Sequence, residues 1–142
     1  MIKLFGLLYS EGVYMKLLES GEMYLESILT LSRSLTRVRS VDICRHMNFS
    51  KPSVSRAVGL LKSGGYINVD ENGNITLTEC GLEVAEKTYS RHELLTEVFI
   101  KLGVSPDTAE ADACKIEHDL SDETIQCLMR HLEQYGIKTD EQ

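Results

Sequence analysis

Residues 38–65 read VRSVDICRHMNFSKPSVSRAVGLLKSGG, and this stretch decides the fold of the chain. Residues 38–47 have the pattern of a short helix capped near Ser40. Asn48-Phe49-Ser50 is typical of a turn. Ser50 is also a good N-cap for a second helix, because Pro52 falls in its first turn, where a missing N–H costs nothing. Gly64-Gly65 ends this second helix after Leu61 or Ser63. The stretch therefore predicts a helix-turn-helix.

The two segments that follow predict a β-hairpin. Residues 66–70 and 74–78 alternate apolar and polar side chains, and Glu71-Asn72-Gly73 between them is a tight-turn signal. A hairpin directly after two helices is the wing of a winged helix-turn-helix.

The remaining segments are helical. Residues 22–31 form an amphipathic helix, and residues 79–102 form a long helix that Gly103 ends. Ser105-Pro106 opens another helix to about Asp119, and Ser121 caps a last one to about Tyr135. The predicted fold is mainly α, with an N-terminal winged helix-turn-helix domain at residues 15–88 and a C-terminal helical domain at residues 89–137. Residues 1–14 are interpreted as an N-terminal extension and residues 138–142 as a disordered tail.

Charge is divided along the chain. Although the net charge is −7, residues 31–65 carry seven arginines and lysines against one acid, Asp42. Residues 106–142 carry ten acids against three bases. A basic block fits a polyanion and an acidic block fits cations. The alternative for the winged helix is a protein-interaction module with a solvated face. The basic excess favours DNA, and the predicted DNA-binding residues are Arg39, Ser50, Lys51, Pro52, Ser53, Ser55 and Arg56.

A second motif, Cys114-Lys115-Ile116-Glu117-His118, places a thiol, a carboxylate and an imidazole at i, i+3 and i+4. On a helix these positions share one face, and their side chains are ligands for a divalent metal ion. Each residue alone has an ordinary explanation: a buried thiol, a solvated carboxylate or a surface histidine. Together they predict half of a metal site. His92 could complete it, as could Met23 and Glu26, which lie at i and i+3 on the first helix.

The cysteines and the hydropathy limit the cellular setting. The four cysteines are widely spaced and form no CxxC pair, which argues against a zinc ribbon or a secreted disulfide framework. No stretch reaches transmembrane length, and the apolar N-terminus lacks a signal-peptide cleavage site. We therefore expect a cytoplasmic protein with no membrane partner.

Several motifs together resemble one family. Residues 22–26 (EMYLE), 50–55 (SKPSVS), 77–81 (LTECG), 91–95 (RHELL) and 114–118 (CKIEH) occur in the order and at about the spacing of the diphtheria-toxin-repressor and manganese-transport-regulator family. These are metal-activated bacterial transcription repressors. The resemblance covers about residues 16–135.

The resemblance implies a DNA-binding domain, a dimerisation domain and metal ligands drawn from both. Matching positions give the ligand set Met23, Glu26, His92, Cys114, Glu117 and His118. Glu26 is similar to the manganese branch, whereas Met23 and Cys114 are similar to the iron branch. Thr96 and Glu110 replace the usual carboxylate and histidine of the iron branch's ancillary site, and Glu26 with His92 could form a substitute. The SH3-like domain of longer members has no counterpart in this sequence.

The sequence thus predicts a homodimeric, metal-activated repressor that binds a palindromic operator of metal-homeostasis genes. Metal would link the two domains and fix the spacing of the recognition helices. Thioether and thiolate favour Fe²⁺, with Mn²⁺ next and Zn²⁺, Ni²⁺ or Co²⁺ binding in vitro. One alternative is a winged-helix regulator that responds to a non-metal small molecule. An enzyme is not expected. A hydrolytic metalloenzyme would need a general base beside an open metal position, and the sequence has no evident residue for that role.

Overall fold

The computed structural model describes residues 11–135, with side chains described from Glu19 onward. It contains six helices and one two-stranded sheet within that range. The chain divides into two compact units between Lys87 and Thr88, inside the fourth helix. The predicted tail at residues 138–142 and most of the predicted N-terminal extension lie outside the described residues.

The first unit begins with α1 (Glu11–Ser34), followed by α2 (Ser40–Met47) and α3 (Lys51–Ser63). α1 is longer than the amphipathic segment predicted at residues 22–31. Its apolar side chains recur at the spacing of one helix face, and they pack with the two following helices in a core of Tyr24, Leu25, Ile28, Leu29, Val38, Ile43, Val54 and Leu61. The predicted helix-turn-helix is confirmed.

The turn between α2 and α3 depends on two local features. Asn48 adopts the left-handed conformation (φ 55°), which ends α2. Ser50 then caps α3, with its hydroxyl accepting from the backbone N–H of Ser53 at 3.4 Å. The rings of Phe49 and buried Tyr24 form an edge-to-face pair with centroids 6.0 Å apart, so the turn is also anchored to α1.

The start of α2 agrees with the predicted cap near Ser40 to within one residue. Arg39 rather than Ser40 occupies the cap position, and its backbone N–H donates to the Asp42 carboxylate at 2.9 Å. An acid in the first turn of a helix also faces the positive end of the helix dipole, so Asp42 stabilises this end twice.

The predicted wing is confirmed as β1 (Ile67–Val69) and β2 (Ile75–Leu77), which pair antiparallel with Ile67 opposite Leu77. Ile67 and Ile75 point into the core. The Asp70 carboxylate organises the turn by accepting from the backbone N–H groups of Asn74 and Asn72 at 2.8 and 2.9 Å. These bonds favour the ionised carboxylate and hold the pKa of Asp70 below its ordinary value.

The second unit is built from the rest of α4 (Glu79–Lys101), α5 (Pro106–Ile116) and α6 (Asp122–Tyr135). Leu95, Ala113 and Ile125 contribute one buried residue from each helix, and Phe99, Ile116, Leu120 and other apolar side chains pack around them. Gly103 (φ 98°) makes the left-handed turn that ends α4. Across residues 11–135, no helix has the length and apolar character needed to cross a lipid bilayer.

The start of α4 is fixed by a close backbone approach. The Thr78 hydroxyl accepts from the N–H of Gly81 at 3.1 Å and donates to the carbonyl of Gly65 at 2.7 Å. A Cβ at Gly81 would lie 1.9 Å from the carbonyl oxygen of Tyr66. Only glycine allows the helix to pass so near this peptide.

We predict that Gly81→Ala destabilises the first unit by about 1–3 kcal/mol, because the added methyl must displace backbone atoms. Gly59→Ala is the matched control, since Gly59 lies on α3 and a Cβ added there would meet no atom within 4 Å. It should stabilise the protein by roughly 0.5–1 kcal/mol through helix propensity. Denaturant unfolding of both variants measures the difference, and equal stabilities would contradict the close approach.

Candidate functional site

A buried carboxylate is the centre of the second unit's polar cluster. The Glu117 side chain has 0% of its surface exposed. Its Oε2 lies 3.0 Å from His92 Nδ1, and its Oε1 lies 3.2 Å from His118 Nε2. The His118 side chain is 3% exposed and that of His92 is 17% exposed. Two imidazoles from different segments therefore converge on one buried carboxylate.

This cluster fits a divalent cation. A carboxylate without a nearby positive charge is costly to bury, and a nearby cation offsets that cost. Glu117 Oε1 makes no hydrogen bond of acceptable geometry with any residue in the described range, although His118 Nε2 is close. Imidazole nitrogens and carboxylate oxygens are ligands for Fe²⁺, Mn²⁺ and Zn²⁺ alike.

Cys114 lies on the last turn of α5 and is half-buried. The helix ends earlier than the predicted Asp119. Glu117 is its C-cap, donating its N–H to Ala113 O, and the N–H of Asp119 reaches back only to Ile116 O. The motif thus spans the end of a helix rather than its middle, and His118 lies in the turn that follows.

Thr96 and Glu110 are the residues that the sequence resemblance aligned with the ancillary site of the iron branch. Glu110 is 70% exposed, and its Oε1 lies 4.0 Å from His92 Nε2. The Thr96 hydroxyl is buried and makes no hydrogen bond within the described part of the chain. Glu110 is therefore near enough to His92 for a small rearrangement to bring the two to one cation.

Met23 and Glu26 lie on α1, one helical turn apart, and both are half-buried. They belong to the first unit, whereas His92, Cys114, Glu117 and His118 belong to the second. That the two groups share a metal ion stays a prediction from the sequence.

The structure shows that Arg91 holds the turn after α5, a contact that the sequence analysis did not predict. The Arg91 guanidinium donates to the carbonyls of Glu117 and Leu120, at 3.0 and 2.8 Å, and contacts the Asp122 carboxylate. These partners lie at least 26 residues away in the chain. The one sequence signal was the position of Arg91 directly before His92.

The recognition helix α3 presents the predicted polar face. Every predicted DNA-binding residue of this segment is exposed, whereas Val54 in their midst is 0% exposed. The exposed set is Ser50, Lys51, Pro52, Ser53, Ser55 and Arg56. Small side chains on the first turns of an exposed helix allow a close approach to the DNA major groove.

The basic residues of the first unit add to this surface. All seven arginines and lysines of residues 31–65 are exposed. The Arg39 guanidinium donates to the carbonyl of Asn72 in the wing turn at 2.7 Å. Part of its hydrogen-bonding capacity is thus committed to the protein.

Comparison with known families gives two matches that together span most of the chain. The family described as "Iron dependent repressor, N-terminal DNA binding domain" matches residues 16–74. The family described as "Iron dependent repressor, metal binding and dimerisation domain" matches residues 78–139. The first range includes the exposed face of α3, and the second includes the Glu117 cluster.

Individual proteins that are similar in sequence to this chain are also transcriptional regulators. An uncharacterized HTH-type transcriptional regulator of Methanocaldococcus jannaschii is 32% identical over 122 residues, covering 84% of this chain and 98% of that protein. The transcriptional regulator MntR of Salmonella typhimurium is 30% identical, covering 82% of this chain and 74% of that protein. The solved structure of the manganese regulator SloR matches with a TM-score of 0.72 and 28% identity, covering 80% of this chain.

This chain spans about half of the SloR chain, 53% of its length. The match nevertheless includes both units. The family that these matches define is made up of transcriptional regulators rather than enzymes. The chain belongs to the diphtheria-toxin-repressor and manganese-transport-regulator family of metal-dependent transcriptional repressors.

Proposed function

We propose that this chain is a homodimeric repressor of metal-homeostasis genes, activated by Fe²⁺ or, next in preference, Mn²⁺, and acting on a palindromic operator in the cytoplasm. The observation that carries the proposal is the buried Glu117 carboxylate with His92 and His118 at 3.0 and 3.2 Å. This cluster lies in the range matched by a metal-binding and dimerisation domain.

The proposed ligands in the second unit are His92, Cys114, Glu117 and His118. A bound divalent cation supplies the positive charge that a buried carboxylate requires. Glu117 offers oxygen, the imidazoles offer nitrogen, and the Cys114 thiolate offers sulfur and a second negative charge. Binding releases the Cys114 proton, so metal affinity should rise with pH.

Met23 and Glu26 are the proposed ligands from α1, on the evidence of the sequence motif. Ligands from both units would hold the recognition helices of a dimer at the separation that two operator half-sites require. Without these ligands, the free energy of operator binding has to offset the entropy lost when the recognition helices are ordered. This coupling is reciprocal, so operator DNA should also raise the affinity for metal.

Ligand chemistry supports iron as the first choice. Thioether and thiolate sulfur are softer ligands than carboxylate oxygen, and Fe²⁺ accepts them more readily than Mn²⁺ does. Glu26 adds a hard ligand that suits Mn²⁺. The mixed set is consistent with a similarity to both iron-dependent repressors and a manganese regulator.

The test is a metal titration of operator binding by purified protein, using DNA selected in vitro in the presence of Mn²⁺. Fe²⁺, under anaerobic conditions, and Mn²⁺ should each raise operator affinity, and a chelator should reverse the effect. Operator binding that ignores both metals would instead favour regulation by a non-metal small molecule. Sedimentation of the complex determines whether a dimer binds.

We predict that Cys114→Ala raises the metal concentration for half-maximal operator binding at least about tenfold, since loss even of an outer-shell partner costs roughly 10- to 100-fold. Cys127→Ala is the matched control, because Cys127 is an exposed cysteine on α6. Its metal response should equal that of the wild type. If Cys114→Ala behaved like this control, Cys114 would not be a ligand.

We predict that Met23→Asp shifts the activation ratio from Fe²⁺ towards Mn²⁺, because a carboxylate replaces the ligand that hard cations bind least well. Met23→Leu separates ligand chemistry from side-chain volume, and it should weaken the Fe²⁺ response without improving the Mn²⁺ response. Half-activating concentrations of both metals provide the measurement. An unchanged ratio in Met23→Asp would remove Met23 from the ligand set.

For DNA, we predict that Arg56→Ala relaxes base preference at one position of each half-site, at a cost of roughly 1–3 kcal/mol. Lys51→Ala should instead weaken binding to all sequences and lower the salt slope of log affinity by about one unit per contact. Lys101→Ala controls for charge, since Lys101 lies on α4 and pairs with Glu97 at 3.1 Å. If both α3 variants bound the operator with wild-type affinity and wild-type salt slope, DNA recognition would have to lie elsewhere in the protein.

A further inference from the structure

The Arg91 side chain of α4 makes several contacts with the turn that follows α5. Arg91 Nη1 donates to Glu117 O at 3.0 Å and to Leu120 O at 2.8 Å, and Nη2 contacts the Asp122 carboxylate. The Arg91 side chain is 13% exposed. It therefore joins α4, the turn after α5 and the first residue of α6 at a single, largely buried point.

One of these contacts meets a specific need of helix α5, because the Glu117 carbonyl belongs to its C-cap residue, whereas the Leu120 carbonyl lies in the turn beyond the helix. The last carbonyls of any helix lack an intrahelical partner, and they carry the negative end of the helix dipole. A guanidinium is a permanently charged, planar donor that can satisfy several oxygens at once. Leu120 also packs in the apolar core of the unit, so the turn is fixed by packing as well as by Arg91.

Glu117 is held from both of its ends by consecutive residues of α4. Its carbonyl accepts from Arg91, and its carboxylate contacts Nδ1 of His92 at 3.0 Å. The separation between the His92 and Glu117 side chains is therefore set by the Arg91 contact as well as by their own interaction. His118, the next residue, lies on the same turn.

We propose that Arg91 is a positioning residue that sets the metal affinity of this site without itself binding metal. The inference rests on the proposed role of His92, Glu117 and His118 as ligands. By holding residues 117–120 against α4, Arg91 keeps two segments of ligands in place before metal arrives. Without Arg91 the turn gains freedom, and metal binding has to order it.

The test uses the full chain and Co²⁺ as a spectroscopic probe, with Mn²⁺ in competition. Arg91→Ala should lower Co²⁺ affinity roughly 10- to 100-fold, the usual effect of removing a residue that orients ligands. The Co²⁺ affinity of Arg91→Lys should lie between those of Arg91→Ala and the wild type, because a lysine can reach one or two of the three oxygens but not all of them. Arg130→Ala, which removes an exposed arginine from α6, should bind Co²⁺ like the wild type.

A second readout needs no metal. In the metal-free protein, the amides of residues 117–121 should exchange faster in Arg91→Ala than in Arg130→Ala. At saturating metal, Arg91→Ala should recover operator binding, since its ligands are all present. The Co²⁺ absorption bands of the saturated variant should differ from those of the wild type only where the ligand geometry has relaxed.

Each outcome is decisive. Wild-type Co²⁺ affinity and wild-type exchange at residues 117–121 in a folded Arg91→Ala would overturn the inference while leaving the proposed function intact. If Arg91→Ala did not fold, Arg91→Lys and Asp122→Asn would test the inference in its place. Wild-type Co²⁺ affinity in both of these variants would overturn it. If the wild-type protein bound neither Co²⁺ nor Mn²⁺, the proposed function itself would fail first.

Discussion

The burial of the Glu117 carboxylate is the constraint on which the second unit depends. A carboxylate with 0% of its surface exposed must be offset by hydrogen bonds or by positive charge. Here two imidazoles approach its oxygens, while the backbone carbonyl of the same residue accepts from Arg91. A divalent cation beside these oxygen and nitrogen atoms would supply the positive charge that offsets the cost of burying the carboxylate.

Glu117 and His118 lie at the end of α5 rather than within it. Within a helix the backbone is fixed by its own hydrogen bonds, whereas the turn after Ile116 relies on side chains such as Arg91. Ligands on such a turn can move to meet a cation at a small local cost. Removal of the restraint should lower metal affinity without unfolding the apolar core around Leu95 and Ala113.

Local rules were sufficient to predict most of the fold. Ser50 and Pro52 mark the start of α3, and Gly103 marks the end of α4, because caps and turns need particular side chains or backbone angles. The end of α5 was predicted three residues late, since the pattern of apolar residues continues past it. The contacts of Arg91 and Arg39 could not be predicted at all. Each joins residues at least 26 positions apart, and spacing along one helix carries no information about them.

Arg39 and Arg91 show that a count of charges is an incomplete guide to what the charges do. Arg39 belongs to the basic surplus that predicts DNA binding, yet its guanidinium donates to Asn72 in the wing turn. Arg91 likewise fixes the turn after α5, because its guanidinium donates to the carbonyls of Glu117 and Leu120. An arginine held in this way still adds to the electrostatic field that attracts DNA, because that field extends over about a Debye length. Apart from that field, the hydrogen bond from Arg39 to the Asn72 carbonyl joins the start of α2 to the wing turn within the first unit.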